Sequence, residues 1–305
     1  MDEHHYLIRG GLEGRERLRV LGRVMRPTTL PLLERAGVTA GMRCLDVGCG
    51  GGDVTFDLAS LVGLTGSAVG IDVDATKIEL ARADAEQVGV TNVEFHVGDL
   101  TDGLGEQEYD AIYVRFVLTH LRDPEGGVEM MLRALRPGGR LIVEDIDFRG
   151  SFCEPEHAGF ERYEEIYEES ARRNGGDPWI GVRVPAMLAT AGFERVQPNV
   201  VQAADLEGES KLMPALTLEN MKAIAIRHGV STEDEIDALV DQLYALARDP
   251  FAYVANPRVV QAQFRGVADK DTEQFRQPGK QVVISPDAYR TGDVITPFEK
   301  ARSAR

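Results

Sequence analysis

The sequence predicts a doubly wound α/β sheet, mostly parallel with an antiparallel last strand, flanked by N-terminal helices and a helical cap. Two observations carry this. From residue 41, short runs rich in Val and Ile alternate with stretches whose apolar residues recur every three to four positions. That is the pattern of buried parallel strands joined by helices. The first run, "RCLDV", enters "GCGGG", four glycines in five positions from Gly48 to Gly52. Something must approach the backbone closely there.

In chain order, "EGRERLRVLGRVMRPTTLPLLERAG" is expected to give two helices separated near Pro27, since proline breaks a helix interior. Strand "RCLDVG" precedes helix "VTFDLASLVG", and strand "SAVGIDVD" precedes helix "ATKIELARADAEQVG", with Asp74 as its N-cap. Strands "VEFHVGD" and "YDAIYVRF" follow, then helix "PEGGVEMMLRAL" and strand "GGRLIVEDIDF". Beyond it the alternation loosens. "PEHAGFERYEEIYEESARRNGG" reads as a helix ending at Gly175 and Gly176, and "VPAMLATAGFERVQPNVVQ" as a helix then a strand. Helices around "TLENMKAIAIRHG" and "TEDEIDALVDQLYALARD" precede a last strand, "PRVVQAQF". Helices inserted between late strands build a lid over the sheet's carboxyl edge. The expected segments are 1–40 (flap and helices), 41–150 (core), 151–265 (cap insertions with late strands) and 266–305 (a polar extension).

The 305 residues are 43% hydrophobic and 28% charged, as in ordinary globular proteins. A net charge of −16 argues against a nucleic-acid partner, which needs clustered Lys and Arg. Three cysteines without CxxC spacing fit a reducing cytoplasm and no structural zinc. "MDEHHYLIRGG" lacks a cleavable apolar segment, and no run approaches ~18 apolar residues. No membrane span is expected. A homodimer is left open.

In such sheets, ligands bind beyond the carboxyl ends of the strands. A dinucleotide fingerprint would be G-x-G-x-x-G. Gly48 and Gly50 start it, but Asp53 stands at the sixth position, leaving G-x-G-x-G with Gly52, preceded by Asp46. The second strand ends at Asp72, suited to accept from the vicinal hydroxyls of a ribose. The third ends in Gly98-Asp99-Leu100, placing an acid where an adenine amino group could donate. Arg115 ends the fourth strand and His120 follows it. His120 either serves as a general base or fastens a helix to the sheet. Glu144, Asp145 and Asp147 end the fifth strand, but alternation divides them between faces, and no metal is expected. Aromatic residues of the cap, among them Phe160, Tyr163, Tyr167 and Trp179, are read mainly as packing, with a few forming an apolar pocket. Glu161, Glu164, Glu165, Glu168 and Glu169 are read as a solvated helix face.

The glycine loop, Asp72 and Gly98-Asp99, followed by "YDAIYVRFVLTHLRDPEGGVEMMLRALRPGGRLIVEDID", together resemble the class I S-adenosylmethionine-dependent methyltransferases over about residues 41–148. The likeness is nearest to the small-molecule branch that resembles the ubiquinone/menaquinone-biosynthesis methyltransferases. It implies a Rossmann-like core that binds S-adenosylmethionine. Carried over by position, Asp46, Gly48, Gly50 and Gly52 pass the methionine portion, Asp72 holds the ribose and Asp99 the adenine. Val73 and Leu100 line the adenine, and the Arg115 backbone carbonyl, or its side chain, meets the amino-acid end. "YLIRGG" resembles an N-terminal flap, from which Tyr6 or Arg9 reaches the cofactor carboxylate; a helix-leading turn is the alternative. The implied reaction is in-line methyl transfer to O, N or C of a small, largely apolar metabolite, in secondary metabolism. An NAD-dependent oxidoreductase and a non-catalytic S-adenosylmethionine-binding protein are the alternatives.

Overall fold

The computed structural model describes residues 11–265, and Tyr6, Arg9 and the 266–305 extension lie outside them. The sheet is built around β1 (Arg43–Val47), which pairs in parallel with β2 (Ser67–Asp72) and β4 (Tyr109–Arg115). β3 (Val93–Val97) extends it beyond β2, and β5 (Leu135–Asp147) beyond β4, both in parallel. β10 (Arg258–Arg265) runs antiparallel to β5 and to β7 (Glu194–Val201), giving the order β3-β2-β1-β4-β5-β10-β7. The antiparallel strand that the sequence predicts is therefore the last one described, lodged between β5 and β7.

Alternation along the strands divides the core between the two faces. Cys44, Ala68, Ala111 and Ile142 pack on one face with Val54 and Leu58 of α2 (Asp53–Val62). Leu45, Val69, Ile112 and Val143 pack on the other with Val128 and Met131 of α4 (Pro124–Ala134). α3 (Ala75–Val88) buries Ile78, Ala81 and Ala85 against Phe95. Its N-cap is Asp74, whose carboxylate accepts from the Thr76 and Lys77 amides at 2.9 and 3.3 Å.

One expectation is corrected. α1 (Gly11–Arg35) is a single helix running through Pro27 and Pro31, where two helices were expected. Each proline removes an N–H from the ladder, a loss of ~3 kcal/mol in isolation. Here one buried stripe, Val20, Met25, Leu32 and Leu33, crosses the prolines without interruption. Thr28 Oγ1 also donates to the Met25 carbonyl at 3.0 Å. Burial of a continuous face outweighs the local penalty.

The cap interrupts the sheet between β5 and β10. α5 (Ala158–Arg173), α7 (Met213–Arg227) and α8 (Glu233–Arg248) share a core that includes Phe160, Tyr163, Tyr167, Leu218 and Leu239. α5 reads as an i, i+3, i+7 stripe of Phe160, Tyr163 and Tyr167, and it stops at Asn174 before Gly175, whose φ is +91°. β6 (Phe152–Glu154), β8 (Ala204–Asp205) and β9 (Tyr253–Ala255) form a small antiparallel sheet at the cap's base. α6 (Val184–Thr190) returns the chain to β7. Among the described residues, no helix is long and apolar enough to cross a membrane.

Candidate active site

The carboxyl ends of β1, β2 and β4 open into a cavity of about 600 Å³, roofed by α1 and walled by the cap. That volume lies within the range of small-molecule pockets, roughly 300–1,000 Å³. Of the residues singled out in the sequence, Gly48, Gly50, Asp72, Arg115 and His120 border it. Sequence reasoning did not single out Arg17, Lys77, Phe116 or Thr217, which also border it.

The loop after β1 needs glycine on backbone grounds. Gly48 has φ +68°, and a Cβ there would stand 2.4 Å from Val117 Cγ2. Gly52 serves packing instead: a Cβ would meet Phe95 at 2.8 Å, and the residue does not border the cavity. The loop is held by Asp72, 8% exposed, which accepts from the Gly50 amide through Oδ2 and the Asp74 amide through Oδ1, both at 2.9 Å. Asp46 lies beneath the loop and accepts from Thr55 Oγ1 at 2.7 Å. Burial pushes its carboxyl up to about 7, with Asp72 and Asp53 adding to the rise and Thr55 and Arg115 opposing it.

Asp99 closes β3 one strand beyond Asp72, and the Gly98 amide donates to the Asp72 carbonyl at 3.1 Å. Its carboxylate accepts from the Thr101 amide and hydroxyl, both at 2.8 Å, and it stands outside the cavity wall. Val73 and Leu100 are likewise outside the wall, with Leu100 buried in the core between sheet and α4.

Arg115 stands near three carboxyl groups and the Tyr113 phenol. Burial works against its charge, but Tyr113, Glu144, Asp46 and Asp53 together raise its pKa. Phe116, next in the chain, is left-handed at φ +53° and donates its amide to the Glu144 carbonyl at 2.9 Å. A bulky residue in that region is strained, and here the strain sits on the cavity wall. Burial, reinforced by the charges of Arg17 and Lys77, pushes His120 down to about 3. Its ring is therefore neutral at physiological pH.

The three acids of β5 diverge. Glu144 accepts from Thr29 Oγ1 and Gln261 Nε2, each at 2.7 Å, and from the Tyr113 hydroxyl. Asp147 pairs with Arg149 and Arg258 at 2.8 and 2.6 Å. Asp145 accepts from the Ile146 amide at 2.9 Å and the Thr119 amide at 3.3 Å. Among the described residues, no cluster of three His, Cys, Asp or Glu could hold a metal.

Burial pushes the Asp145 carboxyl from its ordinary 3.8 up to about 7, with Asp177 adding to the rise and the backbone amides opposing it. A carboxyl held above its unfolded value binds its proton more tightly in the folded state. It therefore favours folding below pH ~4, and that contribution is lost as pH rises through about 7. Asp145→Asn should raise stability at pH 8 by roughly 1 kcal/mol, the new amide's own donors limiting the gain. At pH 4 no gain is expected. Urea unfolding at the two pH values measures this, and an equal effect at both would remove the assignment.

On the cap side, Phe148 stacks on Tyr167 with ring centroids 4.0 Å apart and planes 5° from parallel, and both border the cavity. Tyr163 and Met213 join that wall. The glutamates of α5 stay off it: Glu165 and Glu169 pair with Arg162 and Arg173, and Glu168 accepts from Trp179 Nε1 at 2.8 Å.

A family model described as a methyltransferase domain matches residues 38–206. The ubiquinone/menaquinone biosynthesis C-methyltransferase UbiE of Pseudomonas fluorescens is 37% identical over 113 residues, 36% of this chain and 44% of that protein. The enzyme of the same name from Cronobacter sakazakii is 28% identical over 181 residues, 54% of this chain and 71% of its own. The chain thus spans under half the length of the first of these curated relatives. Among solved structures, a methyltransferase candidate from Bacillus halodurans C-125 superposes with a TM-score of 0.54 at 21% identity, covering 78% of this chain and 98% of its own. Haemonchus contortus phosphoethanolamine N-methyltransferase 2, in complex with phosphomonomethylethanolamine and S-adenosylhomocysteine, gives 0.51 at 16% identity, covering 78% and 52%. At these identities the structural likeness speaks to the fold alone.

Proposed function

The chain belongs to the methyltransferase-domain family, and on that premise we propose that it methylates a small, largely apolar metabolite using S-adenosylmethionine. One observation carries the fit of cofactor to site. Two acids of the cavity wall, Asp53 and Asp72, flank the glycine loop, with Asp46 beneath it, and Asp53 stands at the first position of α2. A pyrophosphate would sit at that helix N-terminus, where Asp53 repels it. A cationic sulfonium with its ammonium group suits the same acids. This favours S-adenosylmethionine over NAD.

When bound, the cofactor supplies a methyl group activated for in-line displacement from sulfur. The chain's own residues align, desolvate and hold. Asp72 takes the ribose hydroxyls, and the loop at Gly48 and Gly50 admits the methionine arm. The adenine, which the resemblance assigns to Asp99, Val73 and Leu100, would lie beyond the cavity wall, past the carboxyl ends of β2 and β3. The backbone and side chain of Arg115 face the amino-acid end. The cap wall of Phe148, Tyr163, Tyr167 and Met213 holds an apolar acceptor and excludes water.

His120 borders the same space, yet a general base works best with a pKa near the operating pH. Depression to about 3 makes its neutral ring a weak proton acceptor and a better hydrogen-bonding strut. His120→Ala should therefore lose stability, by about 1–3 kcal/mol as in loss of a buried polar contact. Turnover per folded molecule should fall no more than about tenfold. A fully stable variant with turnover abolished and cofactor affinity intact would restore the base role.

The reading as a whole is tested by mass spectrometry of small molecules released from freshly purified protein, followed by titration with S-adenosylhomocysteine. Release or binding of the adenosyl compounds supports it. Release of NAD overturns it. Tight binding without turnover on any acceptor would leave a non-catalytic binder.

A further inference from the structure

The cavity carries a polar cluster at its cap end, assembled from four separate elements. Arg17 comes from α1, His120 from the turn after β4, Tyr163 from α5 and Thr217 from α7, and all four border the cavity. Arg17 is 9% exposed, and its Nε donates to Thr217 Oγ1 at 3.3 Å. That contact fixes the direction of a planar guanidinium, whose fork of N–H groups matches a carboxylate. The stacked rings of Phe148 and Tyr167 stand on the same wall.

We propose that this end of the cavity binds the carboxylate of an aromatic acid, with Arg17 as the residue that selects it. The proposal rests on the methyltransferase reading above and names the acceptor class for it. An aryl ring would lie against Phe148 and Tyr167 while its carboxylate meets Arg17, with the Tyr163 and Thr217 hydroxyls alongside. The positive character of this end shows in its neighbours: Arg17 and Lys77 help to depress His120, and Arg17 opposes the burial that raises Tyr163. Two acidic residues of the wall have partners of their own, and Asp53 and Asp72 stand at the glycine loop. Glu209, exposed, holds Arg23 through two bonds of 2.7 Å, and Asp205 accepts from the Ser210 hydroxyl.

Titration calorimetry of the full chain saturated with S-adenosylhomocysteine tests this, with 2-naphthoate and its neutral amide, 2-naphthamide, as probes. The acid should bind at least about tenfold more tightly than the amide, as a charge-assisted pair requires. Arg17→Gln should erase that preference and Arg17→Lys keep part of it, while affinity for S-adenosylhomocysteine stays within about twofold. Equal binding of the two probes, or binding of neither, overturns the proposal and needs no variant to fold. Loss of S-adenosylhomocysteine affinity in the Arg17 variants also overturns it, by assigning Arg17 to the cofactor's own carboxylate. Failure of the unaltered protein to bind S-adenosylhomocysteine at all defeats the methyltransferase reading itself, a result separable from the probe comparison.

Discussion

Glu144→Ala should destabilise the protein by about 3–5 kcal/mol, the range for removing one partner from a buried charged network. Glu144 has no solvent exposure and gathers donors from three elements: Thr29 of α1, Tyr113 of β4 and Gln261 of β10. Gln261 Nε2 also donates to the Thr28 carbonyl at 3.3 Å, so the network ties the roof helix to the sheet. Truncation leaves three buried donors without their acceptor, each worth ~1–3 kcal/mol before relaxation. It also removes one of the negative groups that face Arg115. Glu144→Gln keeps an acceptor oxygen but sets its new amide against Gln261, so an intermediate loss is expected. The midpoint of urea unfolding at constant slope measures both. A loss below about 1 kcal/mol for the alanine variant would show that the network relaxes into water and does not hold α1 down.

The same residue shows where reading the sequence stops. Alternation already divides Glu144, Asp145 and Asp147 between faces, but the partners Glu144 finds in Thr29 and Gln261, and Asp147 in Arg258, come from elements over a hundred residues away. The strands and their chemical ends were legible because period and punctuation are local. "RCLDVG", "VGIDVD" and "VEFHVGD" run only one or two residues past the ends of β1, β2 and β3 at Val47, Asp72 and Val97. The continuity of α1 was not legible, since Pro27 is a strong local signal and the stripe that overrides it acts through tertiary burial. Lys77 left a trace: a lysine among Ile78, Ala81 and Ala85 on the buried face of α3 is anomalous unless something polar waits there. Arg17 left none. Its place depends on how α1 crosses a cap whose helices come more than a hundred residues later. The left-handed backbone of Phe116 was equally silent, because nothing in "VRFVL" asks for it.

Asp72→Ala should weaken binding of S-adenosylhomocysteine by ~1.5–3 kcal/mol, roughly 10–150-fold in Kd. The carboxylate has two roles to separate. It accepts from the Gly50 and Asp74 amides and so shapes the loop, and it is proposed to accept from the ribose. A ligand without the vicinal hydroxyls distinguishes them. If the ribose contact dominates, the variant should lose little affinity for the dideoxyribose analogue of S-adenosylhomocysteine, because the interaction is already absent. If loop shape dominates, both ligands should lose the same factor. Asp74→Ala is the control. It removes the cap of α3, costing about 1 kcal/mol of stability, and Asp74 does not border the cavity. Its cofactor affinity should be unchanged. Equal losses for the two ligands in Asp72→Ala would therefore withdraw the ribose assignment and leave Asp72 as the post that holds the glycine loop open.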